Sequence, residues 1–139
     1  MSNENAIIEM LKILKINNIY STKEFEKDLT KLVTTNVKRF VRDFTRDIRR
    51  KSFDEYNRYK KLNLNSSQKN KLDNYDLYRY EYRNDSNLRC IYLIDNVKNT
   101  SNIILLCAFN EDWNKSKGNN AYKDNINRAI RIYLNSIKR

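Results

Sequence analysis

Apolar residues recur every three or four positions in four segments, the spacing of amphipathic helices. These segments are 5–15, 21–33, 36–50 and 120–137. The second and third are a few residues apart and predict an antiparallel helix hairpin. Ser21 and Glu24 have the spacing of a capping box, with Ser21 as the N-cap.

Strand-like patterns occupy the second half of the chain. The segments are 75–83, 88–95 and 102–109, joined by short polar connectors that predict an antiparallel meander. The last segment is continuously apolar and is expected inside the sheet. Residues 57–74 are polar without a period, which predicts a loop or a frayed helix end. The expected fold is α+β, with an N-terminal helix hairpin packed on a small antiparallel sheet and a C-terminal helix.

The length of 139 residues fits a single domain spanning 1–139, with 1–15 as an N-terminal helical extension. No segment reaches the roughly 18 apolar residues of a membrane span. The start of the chain lacks the pattern of a signal peptide. We therefore expect a cytoplasmic protein without membrane contact.

The strand at 75–83 alternates tyrosines with charged residues, and alternate residues face opposite sides of a sheet. Tyr78, Tyr80 and Tyr82 are expected against the helices. Arg79, Glu81 and Arg83 share the other face, which is expected to be open because arginine and glutamate are rarely buried. Arg89 on the next strand would join them in a cationic surface. The alternative is a solvated face of cross-strand Arg–Glu pairs around Glu81.

The net charge of +11 is concentrated in two blocks. Residues 31–60 and 115–139 each carry +6, whereas 61–114 are neutral. This distribution indicates a polyanionic partner such as nucleic acid, with an anionic membrane or an acidic protein as alternatives. On the helix at 36–50, the candidate RNA-binding residues are Lys38, Arg39, Arg42 and Arg46. A merely solvated basic face is the alternative.

Composition excludes several kinds of site. The chain has no histidine, so His-based triads and His-ligated metals are absent, and one glycine cannot build a phosphate-binding loop. Cys90 and Cys107 lie in apolar runs and are expected to be core residues without disulfide or metal roles. We therefore expect no metal and no cofactor. Arginine, lysine and tyrosine remain, and they can bind phosphates and stabilise negative charge while an RNA 2′-hydroxyl attacks its own phosphodiester.

Three stretches carry a family resemblance: EFEKDLTKL, YEYRNDSNLRCIYLID, and IILLCAF with the later NAYKDNINRAI. Over about residues 16–134, the chain resembles the RelE/ParE superfamily of bacterial toxins, particularly the RelE and HigB-like messenger-RNA interferases. The resemblance implies a RelE-like fold and a type II toxin that cleaves mRNA without a metal, on the ribosome. It also implies a cognate antitoxin protein as a partner.

The resemblance assigns roles to individual residues. Arg89 matches the arginine that binds the scissile phosphate, and Arg83 matches one at the end of the preceding strand. Arg79 stands where such toxins often use a lysine. Tyr122 matches a tyrosine that stacks on or orients the nucleotide, although it also fits the apolar stripe of the last helix. Lys115 and Lys117 fall in the loop that usually supplies a further catalytic cation, although loop lysines are often merely solvated.

Two positions depart from the family pattern. Glu81 stands where some of these toxins have lysine, and the following loop begins with the acidic residues Glu111 and Asp112. Either Glu81 or a loop carboxylate can instead act as a general base. Trp113 can stack on a base or anchor its loop. These departures keep a second interpretation open, in which a non-catalytic relative poisons gyrase or binds nucleic acid or a protein in phage or plasmid defence.

Overall fold

The structure is a computed structural model that describes residues 2–50, 59–82, 87–97, 100–111 and 118–138. Within these ranges the chain forms five α-helices and five β-strands, which confirms the α+β class. The helices are α1 (Asn3–Ile16), α2 (Lys23–Leu32), α3 (Val37–Arg50), α4 (Ser66–Lys71) and α5 (Gly118–Ile132), and a π-helical turn (Tyr133–Ile137) follows α5. The strands are β1 (Ile19–Ser21), β2 (Tyr59–Lys61), β3 (Leu77–Glu81), β4 (Leu88–Val97) and β5 (Thr100–Asn110).

The described strands form one sheet in the order β1-β5-β4-β3-β2. Strands β3, β4 and β5 pair antiparallel, as predicted. Strand β2, which was not predicted, adds antiparallel to β3 at one edge, and β1 pairs parallel with β5 at the other. The expectation of a purely antiparallel sheet is therefore wrong at this edge. Long connections allow parallel pairing, and here three helices (α2, α3 and α4) and three strands separate β1 from β5 in the chain. Strand β5 is paired on both sides, as its continuous apolar sequence predicts.

Helices α1, α2 and α3 cover one face of the sheet. Tyr80 and Tyr82 of the β3 segment point into this layer and are buried. Their rings pack edge-on against Phe44 and Phe40 of α3, with ring centroids 5.4 and 5.1 Å apart. The inward direction predicted for the strand tyrosines is confirmed at these two positions.

The other face of the sheet is covered by α5. Leu77 and Ile91 on this face are buried, as are Ala129 and Ile130 of α5. The prediction that this face is open and wet is wrong. Arg79 and Arg89 share the face with apolar strand residues, and the apolar stripe of α5 buries those residues by packing on them.

Helix α1 belongs to the same core as the hairpin. Ile7 and Leu14 are fully buried, and Met10 and Leu11 are nearly so. Ser2 caps the helix by accepting a hydrogen bond from the Asn5 backbone nitrogen. The segment expected as an extension is thus packed against α2, α3 and β1.

Two local predictions are wrong. The N-cap of α2 is Thr22 rather than Ser21, because Ser21 is used as the last residue of β1. The segment expected as a loop or frayed helix contains β2 and α4, whereas residues 57 and 58 lie outside the described residues. Helix α4 begins with a capping box between Asn65 and Gln68. The spacing of these two residues indicates a helix start, but the segment is polar and has no apolar period that would predict a helix.

Both cysteines are buried and free, as expected of core residues. Burial raises the pKa of the Cys107 thiol to about 12, and it also raises the pKa of Cys90. Across the described ranges, none of the helices combines the length and apolar character needed to cross a bilayer.

Candidate functional site

Five side chains meet where β3, β4 and β5 approach the start of α5, and we call them the strand-end cluster. They are Arg79, Glu81, Arg89, Glu111 and Tyr122. Glu81 lies opposite Arg89 in the pairing of β3 with β4. Arg79 precedes Glu81 by two residues and therefore projects from the same face. Strand β5 ends at Asn110, so Glu111 follows directly and reaches Arg89.

The cations of the cluster are paired with its carboxylates. Arg89 Nε lies 3.0 Å from Glu111 Oε2 and 4.0 Å from Glu81 Oε1, and Arg79 forms an ion pair with Glu81. The side chains of Arg89 and Glu111 are only 5% and 7% exposed. Buried ions require such partners because removal from water costs several kcal/mol for each ion.

The pairing corrects the predicted cationic pocket. Arg79, Arg89 and Tyr122 do come together, as the sequence predicts. However, two guanidinium groups face two carboxylates, so the cluster has no net charge. Cross-strand Arg–Glu pairing around Glu81, the alternative drawn from the sequence, is what the structure contains, but it is buried instead of solvated.

Tyr122 links the cluster to α5. Arg79 Nη1 donates a hydrogen bond to Tyr122 Oη at 3.2 Å, and Arg79 Cζ lies 5.7 Å from the centre of the tyrosine ring. The same ring packs edge-on against Phe109 at 5.0 Å. Burial raises the pKa of Tyr122, and the hydrogen bond from Arg79 opposes that shift. The phenol is therefore protonated at neutral pH and can act as an acid or a hydrogen-bond donor but not as a base.

Four predicted site residues lie outside the described residues: Arg83, Lys115, Lys117 and Trp113. Their roles stay predictions. Of the six predicted catalytic residues, the structure brings Arg79, Arg89 and Tyr122 together.

A second group of cations lies on α3, on the other side of the sheet. This α3 basic face consists of the four predicted RNA-binding residues and one more cation, and all five are exposed: Lys38, Arg39, Arg42, Arg46 and Arg49. The arginine side chains at 39, 42 and 46 are 44%, 70% and 45% exposed. Helix α3 carries six basic and two acidic residues, so its net charge is +4.

The acidic residues of α3, Asp43 and Asp47, are buried between its basic face and the sheet. The Tyr80 hydroxyl donates to Asp47 at 2.6 Å, and the Tyr82 hydroxyl donates to Asp43 at 3.0 Å. Arg46 contacts both carboxylates, at 3.6 and 3.2 Å. The two aspartates thus attach α3 to the sheet and orient its arginines.

The two aspartates are functional candidates that the sequence interpretation missed. They stand four residues apart on the same side of α3 as Phe40 and Phe44, where a solvated charge is not expected. The matching signal is the pair of inward tyrosines, Tyr80 on β3 and Tyr82 directly after its last residue. Aspartates on the apolar side of a helix, facing strand tyrosines, predict this kind of bonding.

The chemistry available to the described residues is that of guanidinium, carboxylate and phenol groups. Within these residues, no group of three or more His, Cys, Asp or Glu side chains is arranged to hold a metal ion. Glu81 and Glu111 can accept protons, Tyr122 can donate one, and the exposed arginines of α3 can bind phosphates.

Comparison with models of protein families, with curated proteins and with solved structures gives no match for this chain. Any function therefore has to be argued from the residues and their geometry. Of the two charged regions, the α3 basic face is exposed and carries excess charge. In the strand-end cluster the charges are balanced, Glu81, Arg89 and Glu111 are buried, and Arg79 and Tyr122 are half-buried.

Proposed function

We propose that this protein binds RNA through the α3 basic face and does not cleave it. The single observation that carries the proposal is the contrast in available charge. The sequence of helix α3 has a formal net charge of +4, and four of its arginines are exposed, whereas the guanidinium groups of Arg79 and Arg89 are matched by carboxylates. Phosphate binding draws on uncompensated positive charge, because released counterions supply much of the affinity.

The dimensions of α3 fit a nucleic-acid backbone. Lys38 and Arg49 are eleven positions apart, which corresponds to about 16 Å along a helix. A row of this length spans about five phosphates of one strand. The buried aspartates reduce the freedom of the arginines above them, so less side-chain entropy is lost on binding.

The proposal extends to the family. A helix pair on one face of the sheet and a closing helix on the other support a RelE-like fold, with the protein as a cytoplasmic toxin-type relative of the non-catalytic kind. Its RNA target would then be a message or ribosomal RNA. A gyrase-directed relative would instead poison gyrase.

The test is fluorescence anisotropy with a short labelled RNA and a DNA of the same sequence. The double variant Arg42→Gln/Arg49→Gln should bind RNA several-fold to tenfold more weakly than the parent. The matched control is Lys123→Gln/Arg131→Gln, which removes the same charge from exposed positions on α5, across the sheet. An equal loss of RNA affinity in both double variants would contradict the proposal, because it would show that RNA is attracted by the overall charge of the protein and not by the α3 basic face. Inhibition of gyrase together with preferential DNA binding would favour the gyrase alternative.

A second candidate, metal-independent endoribonuclease activity, is favoured by one observation. Arg79 contacts Tyr122 beside Glu81 and Glu111, so a cation, an acid and two candidate bases lie together. In this mechanism a carboxylate takes the proton of the 2′-hydroxyl, and the 2′-oxygen of the RNA then attacks the adjacent phosphorus. Arginine stabilises the phosphorane, and the Tyr122 phenol protonates the leaving 5′-oxygen.

Primer extension on messages incubated in a translation extract with a chelator separates the two candidates. New RNA ends that disappear in Tyr122→Phe would overturn the non-catalytic proposal and establish cleavage. Intact messages under conditions where anisotropy detects binding are the result we expect.

A further inference from the structure

A groove of about 820 Å³ runs between α1 and α3. Its apolar lining comes from both helices, namely Ala6, Met10 and Ile13 from α1 and Val41 from α3. It is open to solvent rather than enclosed. Apolar grooves between helices are a recurring binding site for amphipathic helices.

The groove exposes apolar surface that the chain itself does not cover in its described parts. Ile13 is 50% exposed, and Ile16, one helical turn further along α1, is 82% exposed. Ile13 lines the groove, whereas Ile16 lies next to it on α1, and contiguous apolar surface rimmed by charged residues marks sites of protein association.

One side of the groove is strongly basic. Arg42, Arg46 and Arg49 line it and follow each other at the spacing of successive helical turns. The α1 side contributes Glu9, which is paired with Lys12 at 3.4 Å. An occupant with an apolar stripe and carboxylates along one flank would match both the floor and this arginine row.

We propose that the α1–α3 groove binds an amphipathic helix of a partner protein, with an apolar stripe on the groove floor and an acidic flank against Arg42, Arg46 and Arg49. We assign the helix to a different protein because, among the helices that the structure describes, none has a net negative charge. Helices α1 and α2 are neutral by formal charge, and α3, α4 and α5 are positive. A second copy would present only neutral or basic described helices to the arginine row.

The inference rests on the proposed function in one respect, because the arginine row belongs to the surface proposed to bind RNA. A helix in the groove covers three of those arginines and therefore competes with RNA. The partner is then an inhibitor of RNA binding that acts by occupying the same charges.

The probe is a synthetic helical peptide with leucines at i, i+3, i+4 and i+7 and glutamates on one flank. A scrambled peptide of identical composition, which has the same charge but no apolar stripe, is the control. We expect the patterned peptide to bind at least about tenfold more tightly than the scrambled one, because it alone buries its leucines. It should also displace labelled RNA. Equal binding of the two peptides would overturn the proposal.

Two variants locate the peptide and separate the two proposals. Ile13→Gln keeps the charge of the protein and should weaken the patterned peptide about tenfold while leaving RNA affinity unchanged. Arg42→Gln/Arg49→Gln should weaken both ligands. RNA binding without specific peptide binding would refute the groove proposal alone, and peptide binding without RNA binding would refute the RNA proposal alone.

Sedimentation of the unliganded protein tests the remaining candidate occupant of the groove, which is a second copy of this chain. We expect the Ile13→Gln variant and the parent to sediment alike. A parent dimer that Ile13→Gln dissociates would show that a second copy fills the groove and would overturn the proposal. Loss of RNA affinity in Ile13→Gln would show that RNA itself occupies the groove, and this result would also overturn the proposal.

Discussion

The strand-end cluster and the α3 basic face are built from the same residue types, arginine, carboxylate and tyrosine, but their charge is used differently. In the cluster, Arg89 is 5% exposed and forms an ion pair with Glu111, so its charge is neutralised within the fold. On α3, Arg42 contacts a buried aspartate and is still 70% exposed. The carboxylates are buried in both regions, so the ratio of cations to carboxylates and the exposure of the guanidinium group decide whether an arginine is available to a ligand.

The difference follows from what lies above each group of arginines. Helix α5 packs over the sheet face that carries Arg79 and Arg89, and burial there requires a carboxylate for each guanidinium. The arginines of α3 lie on the outer side of their helix, where water solvates whatever the aspartates leave uncompensated. Arginine content alone therefore does not identify a binding surface.

The largest effect is expected from breaking the buried pair. Arg89→Met leaves the Glu111 carboxylate buried without its 3.0 Å partner and should lower the free energy of unfolding by about 3–5 kcal/mol. The double variant Arg89→Met/Glu111→Leu should recover most of that loss, because no uncompensated ion remains. Urea denaturation of the parent and three variants, including Glu111→Leu alone, measures the coupling.

An exposed arginine on α3 provides the contrast for this measurement. Arg42→Met should change the free energy of unfolding by no more than about 0.5 kcal/mol, because its side chain is mostly solvated. If Arg89→Met were as mild as Arg42→Met, the cluster would not be a buried structural network, and a binding role for Arg89 would regain support.

The next effect tests how α3 is attached to the sheet. Tyr80→Phe removes the 2.6 Å hydrogen bond to Asp47 in a fully buried place and should cost about 1–3 kcal/mol. Tyr20→Phe on the edge strand β1 is the matched control, because Tyr20 is 37% exposed. We expect urea denaturation to place the control within about 0.5 kcal/mol of the parent. Similar losses of unfolding free energy in the two variants would mean that the hydrogen bond from Tyr80 to Asp47 does not stabilise the fold.

The sequence predicted much of this fold where periodicity was strong. The helix pair, the three main strands and the last helix were found, because their apolar spacing is set by one-sided burial. The parallel strand β1 was too short to specify its direction, and α4 was hidden by polar composition. The packing of α5 over the second face of the sheet was not predicted, because the charged residues of β3 suggested that this face is exposed to solvent. The apolar residues Leu77 and Ile91 lie on the same face and are buried by α5.

Three members of the strand-end cluster were predictable from the sequence, but the balance of its charges was not. Arg79, Arg89 and Tyr122 were grouped correctly by strand alternation and by the family resemblance. Their neutralisation depends on Glu111, which reaches Arg89 only because β5 ends one residue earlier. Such a contact is set by strand length and register, which residue patterns specify only to within a few positions.

A smaller effect is expected at the edge of the cluster. Tyr122→Phe removes the 3.2 Å hydrogen bond from Arg79 but keeps the ring against Phe109, so its cost should be about 0.5–1.5 kcal/mol. Urea denaturation at neutral pH measures this difference. A loss as large as that of Arg89→Met would mean that the phenol is integral to the ion pairs.

The same variant carries a pH prediction. Burial raises the pKa of Tyr122 in the folded protein above its value near 10 in the unfolded chain. The associated stabilisation is fully present below about pH 10 and is lost as the pH rises through the folded pKa. Stability measured across this alkaline range should therefore fall less steeply in Tyr122→Phe than in the parent. An unchanged slope would show that the phenol is not desolvated.

The smallest effect on stability, and a specific effect on binding, is expected for Arg49→Gln. Arg49 is exposed at the end of the α3 basic face, so its replacement should leave the free energy of unfolding within about 0.5 kcal/mol of the parent. If it contacts one phosphate, the slope of log affinity for RNA against log salt concentration should become shallower by about one. Arg131→Gln on α5 removes the same charge from the opposite face and should leave that slope unchanged. Anisotropy titrations at several salt concentrations decide between a defined contact and general attraction. A slope that changes equally in both variants would remove the distinction between α3 and the rest of the basic surface.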